Sequence, residues 1–422
     1  MAANRRRLLS PLLLWFMGTM ILANIASMMI FPLESLYVQE LGASVEQVGL
    51  FCTVAAVVPL LFQVFGGWLS DSIGRLQAIA IGSVGGVLAY GFYIFAPSWA
   101  WLLPASVLSS MAIAFVAPSF QAFIAEESTE ETRGRVYGIT TSMFLVVNVV
   151  GPLLGGLVAQ GLSFTMLYVI AGSLYGTAAL MRIVMARYAS RKRKESAGSA
   201  EKPSLGGLKK SLLAVAGLVL SGGLVTWIFI SDGVRDVAFS LVGRLMPLYL
   251  QNEMGLSLFQ ISALESVTAV VAMALMTPAG WLSDKKGERV AIVGGFAAIS
   301  LGWFIFLNGV QFWQFIASRV VVGVGWALIE PAYASLISKA VPERLRGTAF
   351  GLFSTSLGLI SLPAPWIGAR LWEGISPIFP FYVPLVAMVA ILPLMWFKFK
   401  LPSEPGQGRG KDANNAADTA AP

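Results

Sequence analysis

Asp232, Arg235 and Asp236 interrupt the predominantly apolar stretch 222–250. At about 100° per residue on a helix, the three fall within about 100° of arc on one face. Inside a bilayer each charge costs about 2.5–3.5 kcal/mol, so such groups turn toward a partner or a watery cavity. One base can neutralise one of the two acids, and the acid left over is suited to taking up and releasing a proton. Glu330 stands eleven residues after Arg319, so both project from one face of a helix about 16 Å apart. Trp326 lies between them on that face and, with Arg319 and Glu265, is a candidate for lining a cavity. Glu34 and Glu265 sit toward the outer third of their own apolar runs. Asp232, Asp236, Arg235, Glu330 and Glu34 are therefore the proton-coupling candidates, and the competing reading of each is an ion pair that pins helices together.

Other chemistries are poorly supplied. The chain has no His and a single cysteine, Cys52. Metal-ligand spacing and nucleophile–base arrangements are absent, so neither an enzyme nor a bound metal or cofactor is expected, and an intrachain disulfide is excluded.

The elements that must position these charges are membrane spans. Apolar residues make up 56% of the chain and charged residues only 12%, where a soluble domain carries about 25% charged. Runs of roughly 20 apolar residues, enough to cross a hydrocarbon layer of about 30 Å, recur between short polar links. Twelve all-α spans are expected, near 12–38, 46–69, 76–97, 99–124, 136–160, 163–186, 222–250, 257–282, 290–309, 311–338, 348–372 and 377–398. They group as a six-helix bundle over 1–187, a basic Ser/Gly-rich linker over 188–211, a second six-helix bundle over 212–400, and a disordered tail over 401–422. With the N-terminus in the cytoplasm, nearly all of the 29 Lys and Arg fall on the inner side and only Arg370 faces outward, as the positive-inside rule requires. The net charge of +7 then reflects topology and anionic lipid rather than nucleic acid. Both termini are expected to be cytoplasmic, with the protein a monomer in the cell (inner) membrane.

The bundles are copies of one unit. Gly67-Trp68-Leu69-Ser70-Asp71 returns as Gly280-Trp281-Leu282-Ser283-Asp284, 213 residues later. The same offset carries Gly42 to Gly255, Ser44 to Ser257, Pro118 to Pro331, Arg133-Gly134 to Arg346-Gly347, Gly138 to Gly351 and Pro152 to Pro365. A parallel duplication of six-span halves supports alternating access around a midplane site.

On these residues the chain resembles the major facilitator superfamily, most closely its twelve-span drug:proton antiporter branch, from about residue 10 to 400. Gly67, Leu69, Ser70, Asp71, Gly74 and Arg75 match the family's loop motif between spans two and three, with Leu76 in place of the last basic residue. The resemblance implies a cytoplasmic gate, in which Asp71 meets the N-terminal end of span eleven. The second copy keeps Gly280, Asp284 and Gly287 but puts Glu288 where Arg is usual, followed by Arg289, so unequal gates are expected. Gly138, Gly151, Pro152, Gly155 and Gly156 resemble the family's antiporter motif, with Val147 at one glycine position. Small residues four apart permit close helix approach, and Gly151 and Gly155 are expected to seal span five against the other half. Arg319, Gly323, Gly325 and Ala327 match a pattern that the family shows in span four, whereas here it lies in span ten and Ser106 holds the equivalent position.

The resemblance implies a secondary active transporter, a proton-coupled antiporter that exports amphipathic or hydrophobic small molecules. The alternatives are a proton symporter for a sugar or organic ion, or a lipid flippase. A receptor or channel would not need a duplicated gate.

Overall fold

The structure, a computed structural model, describes residues 10–128, 130–193, 217, 220, 222–341 and 360–399, exclusive of the side chains at 60, 61, 63–69, 71, 130, 131, 133 and 189–193. Residues 1–9 with the Arg5–Arg7 cluster, the surroundings of Gly67 and Asp71, the linker from 194 to 211, the first part of span eleven with Arg346, Gly347 and Gly351, and the tail lie outside the described residues.

Helices begin and end in the register of the repeat. Span one (Pro11–Ile30) pairs with span seven (Leu224–Gly243), span two (Val45–Ile73) with span eight (Leu258–Lys286), and span three (Arg75–Ile94) with span nine (Glu288–Leu307). Local chemistry sets these ends in duplicate. Ser44 and Gln47 form a capping box at the start of span two, and Ser257 and Gln260 form the same box at the start of span eight, satisfying backbone N–H groups that an uncapped helix leaves open. Gly74 and Gly287 separate the following helix pairs at φ 111° and 89°, a left-handed backbone that any side chain would strain.

Span four (Leu102–Glu127), span five (Glu130–Gly161), span six (Phe164–Arg193), span ten (Phe312–Ala340) and span twelve (Phe379–Lys398) complete the set, with Ala364–Gly374 as the described part of span eleven. Nine helices among the described residues are long and apolar enough to cross a membrane. Three more bring the number to twelve: span two, apolar over Val45–Pro59; span seven, with its three charges; and span eleven.

Spans one and seven end earlier than the sequence suggests. Turns at Phe31–Leu33 and Arg244–Leu245 divide each from a short helix, Glu34–Glu40 and Met246–Asn252 respectively. Pro32 and Pro247 have no N–H for the helical ladder, which explains why the break falls beside them.

Within the first half, span one packs on spans five and six, span three on four and six, and span two on four; the second half repeats this with spans nine, ten and twelve. Among the described residues span two meets span eleven and span five meets span eight across the halves, contacts that the repeat exchanges for one another, and the short helices Glu34–Glu40 and Met246–Asn252 meet each other there too. Gln39 accepts a hydrogen bond of 3.1 Å from Asn252, its own equivalent 213 residues on. Two equivalent residues can touch only on the axis that relates the halves, so this pair marks that axis at the Gly42/Gly255 end. The large buried cluster contains residues of both halves, while a second cluster around Phe16, Phe120 and Phe123 belongs to the first half alone.

Candidate functional site

The span-seven charges converge with span ten. Arg235 forms an ion pair with Asp232 one turn away, and both side chains are about five-sixths buried. The guanidinium lies over the rings of Trp326 (5.2 Å) and Tyr333 (5.5 Å), a cation–π arrangement that is stronger when desolvated. The Tyr333 hydroxyl shares a hydrogen bond of 2.7 Å with Ser231, which fixes the ring under the arginine. Asp232 lies within electrostatic reach of Asp236 and Glu330 as well as Arg235. Three acids and one base therefore share this region, and Asp236 and Glu330 have no ion-pair partner among the described residues.

Arg319 is separate from that group. Its buried side chain turns to span eight, where Glu265 lies 3.6 Å away, and it also contacts the Met246 sulfur. Arg319 and Glu330 thus share a helix but not a site: Glu330 belongs with the span-seven acids, and Arg319 with Glu265. At the equivalent positions the first half has Ser106 and Cys52, so this ion pair exists in the second half only.

Glu34 joins the two halves. It accepts from the Tyr93 hydroxyl (2.8 Å) and pairs with Arg244 at 3.1 Å, while Arg244 also donates to the Phe31 carbonyl and covers the Phe31 ring at 4.3 Å. Arg244 escapes the sequence reading because one charge near the end of a span looks like an interface residue. Its place at the Gly255 end also means that Arg370 is not alone there. Nearby, Arg370 pairs with Glu46, Glu373 accepts from the Glu46 N–H, and the Phe259 N–H donates to Gln160. These inter-half contacts all lie at the Gly42/Gly255 end, where the halves are sealed.

Cys52 reports on this seal. It is buried within electrostatic reach of Arg244 and Glu34. A hydrogen bond to a charged group is worth about 1.5–3 kcal/mol, so Arg244→Ala should raise labelling of Cys52 by a membrane-impermeant maleimide about tenfold or more. Unchanged labelling would mean that the Glu34–Arg244 pair does not hold the halves together.

At the opposite end the loop motif shows a charge exchange. Arg75 pairs with Glu126 at 2.9 Å and donates to Ser70 at 3.2 Å. In the second copy Glu288 pairs with Lys339 and accepts from Ser335 at 2.8 Å. Glu288 is the equivalent of Arg75, and Lys339 of Glu126. The departure at Glu288 is therefore half of a compensated swap: the bond between equivalent helices persists with its polarity reversed. Asp284 is exposed, and Arg289 donates to the Trp396 carbonyl across the same half. Glu288→Arg alone should destabilise the purified protein by about 1–3 kcal/mol, since it sets two cations together and leaves Ser335 without its acceptor. Adding Lys339→Glu should restore most of that loss in thermal unfolding, and a double variant no more stable than Glu288→Arg would show that the pair is incidental.

The span-five glycines divide their work. A Cβ at Gly155 would overlap the Met29 carbonyl oxygen and one at Gly151 the Met28 side chain, both on span one of the same half. Gly156 is the residue that meets the other half: a Cβ there would lie 2.7 Å from the Ser262 Cβ and 3.0 Å from the Phe259 Cα of span eight. This corrects the expectation that Gly151 and Gly155 seal the halves. Spacing by four identifies one helix face but not which neighbour covers it. Pro152 lies inside the helix beside them, and Gly138 has open space around its Cα.

A second charged residue also goes unnoticed in the sequence. Arg182 of span six is 2% exposed. Its guanidinium donates to the Thr19 hydroxyl (3.2 Å), the Thr19 carbonyl (3.3 Å), Ser83 (2.9 Å) and the Met20 sulfur (3.0 Å). All of these acceptors are neutral. Arg182 was legible in principle as the one charge within the apolar run 163–186. It lines a cavity of about 370 Å³ in the first half, together with Asn24, Ser27, Gln121, Phe144 and Tyr175.

Comparison with known proteins gives a consistent picture. The family model described as Major Facilitator Superfamily matches residues 16–233 and again 228–420. A relative described as an uncharacterized transporter of that type, from Methanocaldococcus jannaschii, is 25% identical over 335 residues, 78% of this chain and 83% of its own. The multi-drug resistance efflux pump PmrA of Streptococcus pneumoniae is 23% identical over 365 residues, 85% of this chain and 88% of its own. Among solved structures, a D-xylose–proton symporter superposes with a TM-score of 0.69 at 13% identity, over 94% of this chain and 98% of its own; at that identity the likeness concerns the fold.

Proposed function

The chain belongs to the major facilitator superfamily, and on that premise we propose that it is a proton-coupled antiporter that exports amphipathic small molecules across the cell membrane by alternating access. One observation carries this reading. The span-seven and span-ten cluster holds more carboxylates than bases, with Asp236 and Glu330 unpaired among the described residues, in a helical bundle where an unpaired charge is costly. Such an acid is relieved by a proton in one state and by a cationic partner in another, which is what coupling requires. Asp236 and Glu330 carry the proton, Arg235 holds Asp232, and Trp326 with Tyr333 supplies an aromatic wall. The efflux activity named for the pneumococcal relative supports the outward direction. The Arg5–Arg7 cluster and the charged Gly74 and Gly287 turns then lie in the cytoplasm, which places the sealed Gly42/Gly255 end outside.

Proteoliposomes with an imposed pH gradient test this reading. Uphill movement of a fluorescent amphipathic dye such as ethidium against the proton flow, with no uptake of xylose, is the expected result. Proton-driven accumulation of the sugar without dye movement would replace antiport by symport.

A further inference from the structure

Arg182 differs from the other arginines inside the bundle. Arg235 has Asp232, Arg244 has Glu34 and Arg319 has Glu265, whereas Arg182 has no carboxylate among the described residues. Neutral dipoles satisfy its N–H groups but leave a whole positive charge uncompensated in a medium that stabilises it poorly. Among the described residues the titratable group in electrostatic reach of it is Tyr175, a phenol that also lines the cavity. The weakest of its acceptors, the Met20 thioether, lies on the cavity wall too. An oxygen entering from the cavity could take over that N–H and would be the stronger acceptor, above all if it were charged.

The repeat shows what faces this wall. Ala23, Ile113, Ala117 and Phe120 line the first-half cavity, and their equivalents in the second half are Asp236, Trp326, Glu330 and Tyr333. Thr19, which holds Arg182, is the equivalent of Asp232. Equivalent positions on halves related by an axis along the membrane normal lie at equal depth and face the same central space. The transport pathway therefore has two unlike walls, a buried cation with amide and phenol donors on one side and carboxylates with aromatic rings on the other.

We infer that the first-half cavity binds the carboxylate of an amphipathic aromatic substrate through Arg182, so that the substrate class includes aromatic acids and zwitterions whose cationic end turns toward Asp236 and Glu330. Asn24, Gln121 and Tyr175 are placed to complete the hydration that the carboxylate leaves behind, and Phe120 and Phe144 to stack on its ring. A volume of about 370 Å³ suits a molecule of two or three fused rings. This inference rests on the transport reading above but commits to a ligand chemistry that the reading leaves open.

The test is equilibrium binding to the full-length protein in detergent, with naphthaleneacetate, its methyl ester and ethidium as probes. Wild type should prefer the acid to the ester by about tenfold or more, as one charge-assisted hydrogen bond implies. Arg182→Gln should weaken the acid about ten- to a hundredfold, several times more than it weakens the ester or ethidium, and Arg182→Lys should recover much of the loss. Equal affinity for acid and ester in wild type overturns the inference even if Arg182→Gln fails to fold. So does an Arg182→Gln protein in which acid and ester weaken by the same factor, which would make Arg182 a packing residue. Because binding needs no gradient, an Arg182-dependent acid site in a protein that a pH gradient does not drive would sink the antiport reading alone. Gradient-driven ethidium export without acid preference would sink this inference alone.

Discussion

Asp236→Asn should reduce gradient-driven export to the level of passive leak while leaving binding and exchange of substrates without a cationic end intact. A proton moving down a gradient of one pH unit releases about 1.4 kcal/mol, enough to support about a tenfold substrate gradient. A transporter that has lost its coupling acid carries substrate only until the two sides are equal, so the steady-state ratio should fall from about ten to one. Asp232 is already committed to Arg235, which makes Asp236 the acid of span seven that is free to exchange a proton. Asp232→Asn should do less for coupling and more for stability, since it strips Arg235 of its carboxylate. Parallel measurements of gradient-driven accumulation and counterflow decide the matter. Full accumulation by Asp236→Asn alongside its loss in Glu330→Gln would move the coupling site to span ten.

The second large effect separates two adjacent glycines. Gly155→Ala puts a methyl group against the Met29 carbonyl, within the packing of spans one and five, and backbone has little room to yield. Overpacking of this kind costs about 1–3 kcal/mol or more, so low yield and aggregation are expected. Gly156→Ala meets Ser262 and Phe259 across the interface between the halves. That protein should insert and fold, yet fail to close at the Gly42/Gly255 end, losing transport about tenfold or more by the same energy and exposing Cys52 to maleimide. Normal transport by Gly156→Ala, or a well-folded and fully active Gly155→Ala, would show that the contacts relax freely. Inside lipid the halves are held by close van der Waals packing rather than by water exclusion, and small residues at the seam therefore matter more than apolar area.

Sequence alone determined the elements and their duplication. Apolar runs of membrane length fix the helices because a backbone in hydrocarbon must satisfy its own hydrogen bonds. The 213-residue register places capping serines, turn glycines and helix ends in both copies, since each depends on residues a few positions away. Helical periodicity also put Asp232, Arg235 and Asp236 on one face. Tertiary structure alone decided which residues meet. Arg319 turns to Glu265 rather than sharing a site with Glu330, Glu34 reaches Arg244 across the halves, and Lys339 answers Glu288 with the charges of Arg75 and Glu126 exchanged. Gly155 and Gly156, one residue apart, point to different partners in different halves. The physical reason is common to all of these. A membrane helix is apolar nearly all round, so its sequence does not mark an inner face as strongly as that of a helix in water, and a charge of known depth can be neutralised by any helix that packs beside it. Arg182 is the limiting case, because its neutral partners Thr19, Met20 and Ser83 come from two other spans and carry no charge that could have pointed to it.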